Sequence, residues 1–122
     1  SLAAAVHLYA STSGSLAQYL NLTVTRGTQT SPTFPSCTGF SADSTNYVGA
    51  GAGVMYSGTL ANLSSSYTTF ANGLVDAPGS AQTWTAGSAH SYMFTVSLPS
   101  NAPAAAQGLS SSATFTWEAQ NQ

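Results

Sequence analysis

Charge is nearly absent from this sequence, and lysine is absent altogether. Charged residues make up 3% of the 122 residues, against about 25% in typical soluble domains; they are Arg26, Asp43, Asp76 and Glu118. Binding to nucleic acid or to an anionic membrane surface requires several lysines or arginines. The single arginine therefore excludes nucleic acid as a partner. Ser, Thr, Asn and Gln fill the polar positions instead, a composition typical of proteins outside the cell.

Long apolar runs and paired cysteines are also missing. No apolar stretch reaches the roughly 18 residues that a membrane-spanning helix needs, so we expect no membrane insertion. Cys37 is the only cysteine, which excludes a disulfide within the chain. The sequence favours a small buried hydrophobic residue at Cys37. A bridge to another chain, or to a cysteine outside this segment, stays open as an alternative.

Catalytic and metal sites need clustered titratable side chains, which this sequence hardly provides. His7 and His90 fall on separate predicted strands, and no His-Glu-x-x-His or Gly-x-Ser-x-Gly motif occurs. Glu118 is expected on the polar face of a strand, exposed rather than catalytic. The run Gly49–Gly53 lacks the lysine of a phosphate-binding loop. We therefore predict no enzyme activity, no metal and no cofactor.

Alternating apolar and polar residues predict a chain built from β-strands. The pattern covers residues 6–10, 19–25, 90–98 and 113–119, and residues 54–60 are predicted to form a further strand. Its inward positions include Val6, Leu8 and Ala10 in the first strand and Phe115 and Trp117 in the last. Short strands joined by Gly/Pro-rich turns favour an all-β fold, a jelly-roll-like antiparallel β-sandwich, forming one domain over residues 1–122.

The connections between these strands carry weaker signals. Gly27 is expected to end the second strand, and the long segment from Thr28 to Gly53 is predicted to be a loop. Packing of Phe34, Phe40, Tyr47 and Val48 should hold that loop in place. Apolar residues three to four apart predict a short helical turn between Leu63 and Leu74, and Trp84 is expected near a strand edge.

Two Asn-x-Ser/Thr tripeptides are candidate glycosylation sites. They begin at Asn21 and Asn62, and both asparagines are predicted to face solvent. Such tripeptides arise by chance in a chain rich in Ser and Thr, so their use depends on an export route that glycosylates.

Several segments, taken in order along the chain, resemble the TasA/camelysin family of exported proteins. They are Tyr19–Gly27, Cys37–Phe40, Tyr56–Leu60, Trp84–Gly87, Tyr92–Leu98, Ala106–Leu109 and Thr114–Ala119. The resemblance implies a jelly-roll sandwich, secretion to the cell surface or the extracellular space, and assembly into biofilm matrix fibres. In that family a strand of one subunit fills a gap in the sheet of the next. Some members have been called metalloproteases, but this sequence contains no matching zinc motif, so we do not expect that activity here.

The resemblance predicts a structural subunit of an extracellular filament whose partners are copies of itself, joined head to tail. Family members usually have additional residues before the segment that resembles Ser1 to Tyr9, including the donated strand. Either that part is absent from this chain, or residues 1–10 are the donor, with Val6, Leu8 and Ala10 as the candidate intersubunit strand. A secreted adhesin or carbohydrate-binding β-sandwich module is the alternative, with exposed aromatics such as Tyr9, Tyr19, Tyr47, Trp84 and Tyr92. A capsid or tail protein with a jelly-roll fold is a further alternative.

Overall fold

The computed structural model describes residues 3–79 and 84–122. Within these residues the chain forms seven strands, one short α-helix and two single turns of 3₁₀ helix. The strands are β1 (Ala4–Ser13), β2 (Asn21–Gln29), β3 (Phe40–Ala42), β4 (Val54–Thr59), β5 (Leu74–Val75), β6 (Ser91–Ser97) and β7 (Ser112–Asn121). The helix α1 is Leu60–Ser66, and the 3₁₀ turns are Ser15–Gln18 and Ala104–Ala106. No helix in this part of the chain is long and apolar enough to cross a membrane.

The first sheet has three strands in the order β5-β1-β7, all antiparallel. β1 pairs with β7 along its full length, from Ala4 opposite Asn121 to Ser13 opposite Ser112. On its other side β1 pairs with β5 through His7 and Leu8. β1 is therefore the central strand of this sheet, with a neighbour on each side.

The second sheet is built around β2, which has three antiparallel partners. Thr23 lies opposite Ser57 of β4 and also opposite Thr95 of β6, so β4 and β6 flank β2 on opposite sides. Gly27 likewise lies between Ala42 of β3 and a residue of β6. β3 and β4 thus follow each other along one side of β2, and β6 occupies the other. The two packed antiparallel sheets confirm the predicted β-sandwich.

The fully buried core lies toward one side of the sandwich. Its members come from β1, β2, β4, β5, α1 and the first 3₁₀ turn: Leu8, Ala10, Ala17, Leu22, Val24, Met55, Tyr56, Leu60, Leu63 and Leu74. The inward residues of β6 and β7 pack against this cluster but are only partly covered. The sandwich is consequently closed on the β4 side and open on the side of β6 and β7.

β2 continues past Gly27 to Gln29, so the prediction that Gly27 ends this strand is wrong. A side chain at Gly27 would place its Cβ 2.1 Å from the carbonyl oxygen of Ser41 in β3. The missing side chain lets β3 approach closely, a known role for glycine inside a strand. Gly27 is therefore a site of tight strand pairing and not a turn.

The helix begins earlier than the sequence pattern indicates. α1 covers Leu60–Ser66, and Thr59 caps it, its hydroxyl accepting a hydrogen bond from the Asn62 amide at 3.1 Å. Threonine is a favourable N-cap because its oxygen satisfies an otherwise unpaired backbone N–H. The prediction of a helical turn between Leu63 and Leu74 is right in kind, but the helix overlaps that range only at residues 63–66.

Packing was expected to hold the long segment after β2, and it does so only in part. Tyr47 packs against the core, and Phe40 is half-buried in β3. The prediction is wrong for Val48 and Phe34, whose exposed fractions are 47% and 98%.

Candidate functional site

The inward faces of β6 and β7 form the two walls of an open apolar groove. In the second sheet, Phe94 lies opposite the buried Val24 of β2, and Val96 lies opposite Leu22. In the first sheet, Trp117 lies opposite the buried Leu8 of β1. Because directly paired residues share a face of a sheet, these β6 and β7 side chains point between the sheets, where a core would normally cover them.

Aromatic rings from the two sheets meet at the floor of this groove. The ring centroids of Phe94 and Phe115 are 4.5 Å apart, and those of Tyr92 and Trp117 are 4.9 Å apart. Tilted ring pairs at such distances are favourable contacts. Above them the groove encloses about 800 Å³, with residues 32–37 of the segment after β2 at its rim. We call this feature the β6–β7 groove.

The apolar walls of the groove remain partly exposed. Val96 is 52% exposed and Trp117 is 38% exposed, while Phe115 is half-buried. The alternation predicts that Phe115 and Trp117 face inward, and their pairing with Ala10 and Leu8 confirms it. The burial that an inward position implies is only partial for Phe115 and is wrong for Trp117. Alternation identifies the face of a strand, whereas burial depends on whether another element covers that face.

Both strands that form the walls have an unpaired outer edge. Among the described residues, β6 pairs only with β2, and β7 pairs only with β1. The two isolated bridges in the described chain involve neither strand. Exposed edges in natural proteins are usually protected by lysine, other charges or proline. β6 contains none of these, and β7 contains only Glu118. The edge of β6 is therefore unprotected against the addition of a further strand, and the edge of β7 carries a single charge.

No Asp, Glu, Lys or Arg lines the β6–β7 groove among the residues that the structure describes. His90 is the one titratable imidazole at its wall. Burial and the nearby positive charge of Arg26 both lower the pKa of His90, so its ring is neutral at pH 7. The groove is thus suited to an uncharged, apolar occupant.

Three of the four charged residues lie together beneath one end of the groove. The guanidinium of Arg26 donates to Asp43 Oδ2 at 2.6 Å and to Asp76 Oδ1 at 2.8 Å. Tyr47 donates its hydroxyl to Asp43 at 2.6 Å, and Tyr92 donates to Asp76. We call these five residues the Arg26 cluster. It ties β2 to the segment after it, to the connection after β5 and to the groove wall at Tyr92.

The protonation of the Arg26 cluster follows from burial and charge pairing. Burial opposes the charge on Arg26, but its hydrogen bonds to Asp43 and Asp76 outweigh that effect and raise its pKa. Burial likewise acts to raise the pKa of Asp43, and hydrogen bonds from Tyr47 and Arg26 reverse the result and lower it. Burial, followed by the hydrogen bond to Asp76, raises the pKa of Tyr92. At neutral pH the Asp43 carboxylate and the Arg26 guanidinium are therefore charged, and the phenols of Tyr47 and Tyr92 are neutral.

The remaining candidates for chemistry are dispersed. His7 stacks on Phe70 with ring centroids 4.0 Å apart, whereas His90 packs edge-on against Trp84. Within residues 3–79 and 84–122, no three His, Cys, Asp or Glu side chains are placed to hold a metal ion. Cys37 is exposed on the groove rim, so its predicted burial is wrong. Glu118 lies on the outward face of β7 and accepts a hydrogen bond from Tyr9 at 2.8 Å.

The candidate intersubunit strand lies inside its own subunit, whereas a donated segment is expected to be free to pair with another copy. Val6, Leu8 and Ala10 are buried in the core of their own subunit, with β5 and β7 on either side of the strand. Donating β1 would require it to leave both partners. The candidate glycosylation residues Asn21 and Asn62 are both exposed, at the start of β2 and within α1.

The aromatics suggested for a carbohydrate platform do not share one surface. Tyr9 lies on the outward face of the first sheet, while Tyr47 and Tyr92 belong to the Arg26 cluster between the sheets. The groove itself was not predicted. Its one signal in the sequence is that the inward faces of residues 90–98 and 113–119 carry large aromatic side chains on strands that hold almost no charge.

Comparison with protein-family models, with curated proteins and with solved structures finds no match.

Proposed function

We propose that this protein is a structural subunit of an extracellular filament or biofilm matrix fibre. An extended segment of one copy occupies the β6–β7 groove of the next and adds a strand to its sandwich. The observation that carries the proposal is the groove itself. Within residues 3–79 and 84–122, two strand edges are unpaired and border an apolar cleft that no charged side chain lines. Head-to-tail repetition of this contact produces a filament.

The chemistry of the groove favours an extended chain as its occupant. Unpaired edges supply backbone donors and acceptors, which an added strand satisfies along its whole length. Alternate side chains of that strand then fill the cleft above Phe94 and Trp117. Each apolar side chain buried in this way contributes about 1.5–3 kcal/mol, and each backbone hydrogen bond contributes about 0.5–1.5 kcal/mol.

The composition of the protein favours a second copy as the donor. A chain with 3% charged residues offers many uncharged segments, and these suit a groove whose described lining carries no charged side chain. The low charge also leaves little repulsion between copies. We place the donated segment outside β1, because β1 is already paired on both sides and its apolar residues are buried in the core of their own subunit.

A matched pair of valine substitutions tests the proposal. Val96 lies in the groove and is 52% exposed, and Val48 lies outside it and is 47% exposed. Because both are half-exposed, Val96→Asp and Val48→Asp should each leave the subunit folded. We expect electron microscopy of the intact exported protein to show filaments for the wild type and for Val48→Asp. Val96→Asp should stay dispersed, since a donated strand would bury its carboxylate.

Trp117 gives a second measurement on the same samples. Filling the groove should reduce its quenching by acrylamide, most clearly in a Trp84→Phe background in which Trp117 is the only tryptophan. Filaments from Val96→Asp equal to those of Val48→Asp would contradict the proposed groove contact. A wild-type protein that sediments as a monomer at every concentration would contradict filament formation altogether.

A further inference from the structure

Phe34 is the most exposed large apolar residue of the described chain. Its exposed fraction is 98%, whereas Val96 and Leu98, the next highest, are each at 52%. Burying a phenylalanine side chain is favourable, and the isolated subunit forgoes nearly all of that gain. Isolated exposed apolar residues are common on protein surfaces, so exposure alone assigns no role. The surroundings of Phe34 supply further observations.

The segment that carries Phe34 is held in a defined shape by polar contacts. We call residues 30–39 the Phe34 loop. The side-chain amide of Gln29 donates to the backbone carbonyl oxygens of Ser36 and Thr38, both at 2.9 Å. The Ser36 amide donates to the carbonyl oxygen of Thr33 at 2.7 Å, which closes the loop around Phe34. The loop is therefore internally braced, and it presents Phe34 without any apolar contact that would bury it.

The Phe34 loop lies at the rim of the β6–β7 groove. Pro32, Phe34, Pro35 and Cys37 line the groove together with residues of β6 and β7. β3, to which the loop leads, is on the opposite side of β2 from β6. The loop must therefore extend past the end of β2 to reach the groove. A strand seated there would lie between the aromatic floor and this rim.

We propose that the Phe34 loop is a strap that closes over the strand donated by a second copy, with Phe34 packing on that strand. This inference rests on the proposed function and adds a second recognition element to it. The floor of the groove covers one face of the added strand and the strap covers part of the other. Its main effect should be on dissociation, because contacts of this kind within one interface alter off-rates more than on-rates.

The strap and the groove favour the same occupant. The Phe34 loop contains no charged residue, and neither does the groove lining among the described residues. A charged peptide segment would lose its hydration there without gaining an opposite charge. An uncharged segment of a second copy, in a chain with four charged residues, meets both surfaces without that penalty.

Cys37 allows the strap to be followed directly. It is the only cysteine of the sequence, is exposed, and lies three residues from Phe34 on the same loop. Its reaction with Ellman's reagent would be timed in dispersed subunits and in filaments. We expect the thiol to react at least about tenfold more slowly in wild-type filaments, because the closed strap shields it.

Two substitutions at Phe34 separate packing from general damage. Phe34→Ala filaments should form, should keep Cys37 reactive, and should dissociate on dilution about tenfold faster than the wild type. Such a change corresponds to about 1.4 kcal/mol. Phe34→Leu keeps an apolar side chain and should restore most of the slow dissociation. Because Phe34 makes no core contact, neither change should alter the folding of the subunit.

A cross-linking experiment identifies what the strap covers. One copy in about twenty would carry benzophenone maleimide on Cys37, so that assembly proceeds on unlabelled neighbours. After irradiation, mass spectrometry should find Cys37 joined to one extended, uncharged segment of a different copy. Cross-links only within the same subunit would overturn the strap.

The outcomes distinguish the two proposals. If Val96→Asp blocks filaments but Phe34→Ala filaments match the wild type in Cys37 reactivity and dissociation, the strap is wrong and the groove contact stands. If the wild type forms no filaments, both are wrong.

Discussion

Single side chains in this protein are distinguished by what lies opposite them rather than by their own polarity. Leu8 and Trp117 are paired neighbours on the inward face of the first sheet, yet Leu8 is fully buried and Trp117 is 38% exposed. The difference is that the core covers Leu8, while nothing in the described chain covers the outer part of Trp117. Exposed apolar groups of this kind mark surfaces that gain free energy when a partner covers them.

Gly27 illustrates the opposite case, a position where no side chain fits. Gly27→Ala should lower the free energy of unfolding by about 1–3 kcal/mol, because its Cβ would meet the Ser41 carbonyl oxygen at 2.1 Å. The backbone of β3 must then move away from β2. Urea denaturation followed by circular dichroism measures the change.

The neighbouring Thr28→Ala serves as the control for this substitution. Thr28 is exposed and pairs with Ser41 in the same ladder, so its loss should cost less than about 1 kcal/mol. Equal stability of Gly27→Ala and wild type would show that β3 does not approach β2 as closely as the structure indicates.

Among the elements, the Arg26 cluster adds polar links between β2, the segment after it, the connection after β5 and β6. Arg26 and Asp76 are 5% and 1% exposed, and a buried charge is tolerated only when it is paired and hydrogen-bonded. Removing one partner of a buried pair typically costs about 3–5 kcal/mol. The cluster thereby fixes Tyr92, and with it one end of the groove wall.

The pH dependence of stability should reveal this cluster. The pKa of Tyr92 is raised in the folded state above the value of about 10 in an unfolded chain. Its contribution is therefore complete below about pH 10 and is lost as the pH rises further. The lowered pKa of Asp43 gives a contribution that is present above about pH 3.9 and lost at lower pH.

Tyr92→Phe tests the alkaline part of this prediction. The variant loses its hydrogen bond to Asp76, which should cost about 1–3 kcal/mol at pH 7, and it should show a shallower loss of stability between pH 9 and pH 11 than the wild type. Urea unfolding at each pH gives both values. Val48→Ala, which lies outside the cluster and removes no titratable group, should retain the wild-type slope. An unchanged slope in Tyr92→Phe would place the alkaline transition elsewhere.

At the scale of the whole molecule, the scarcity of charge governs how copies meet. With one arginine and three carboxylates, of which Arg26, Asp43 and Asp76 are paired with one another, long-range electrostatic steering between copies is weak. The proposed filament contact is accordingly held by apolar burial and backbone hydrogen bonds, both of which act at short range.

Filament stability should therefore depend little on sodium chloride. We expect dissociation on dilution to change less than about threefold between 0.05 and 0.5 M salt, because salt screens exposed charges and the described lining of the groove holds none. Sedimentation after dilution measures the dissociated fraction. A steep salt dependence would point to an interface built on charge, which the groove does not supply.

The periodicity of two determined much of the fold directly. Residues 6–10, 19–25, 90–98 and 113–119 alternate strongly, and each overlaps an observed strand whose apolar side faces inward or lines the groove. Strand alternation is local, so neighbouring residues suffice to reveal it. Scarce charge and the absence of a long apolar run could likewise be read from the sequence alone.

Which inward faces are covered depends on the tertiary structure alone. The candidate site exists because the inward faces of β6 and β7 are left partly uncovered. The pattern of Phe115 and Trp117 is that of a core strand, yet β7 and β6 end as edges facing an open cleft. The assembly of Arg26, Asp43 and Asp76 into one cluster also joins residues up to 50 positions apart. Long-range pairing fixes both features, because a side chain's burial and its charge partner depend on segments that its own neighbourhood in the sequence does not specify.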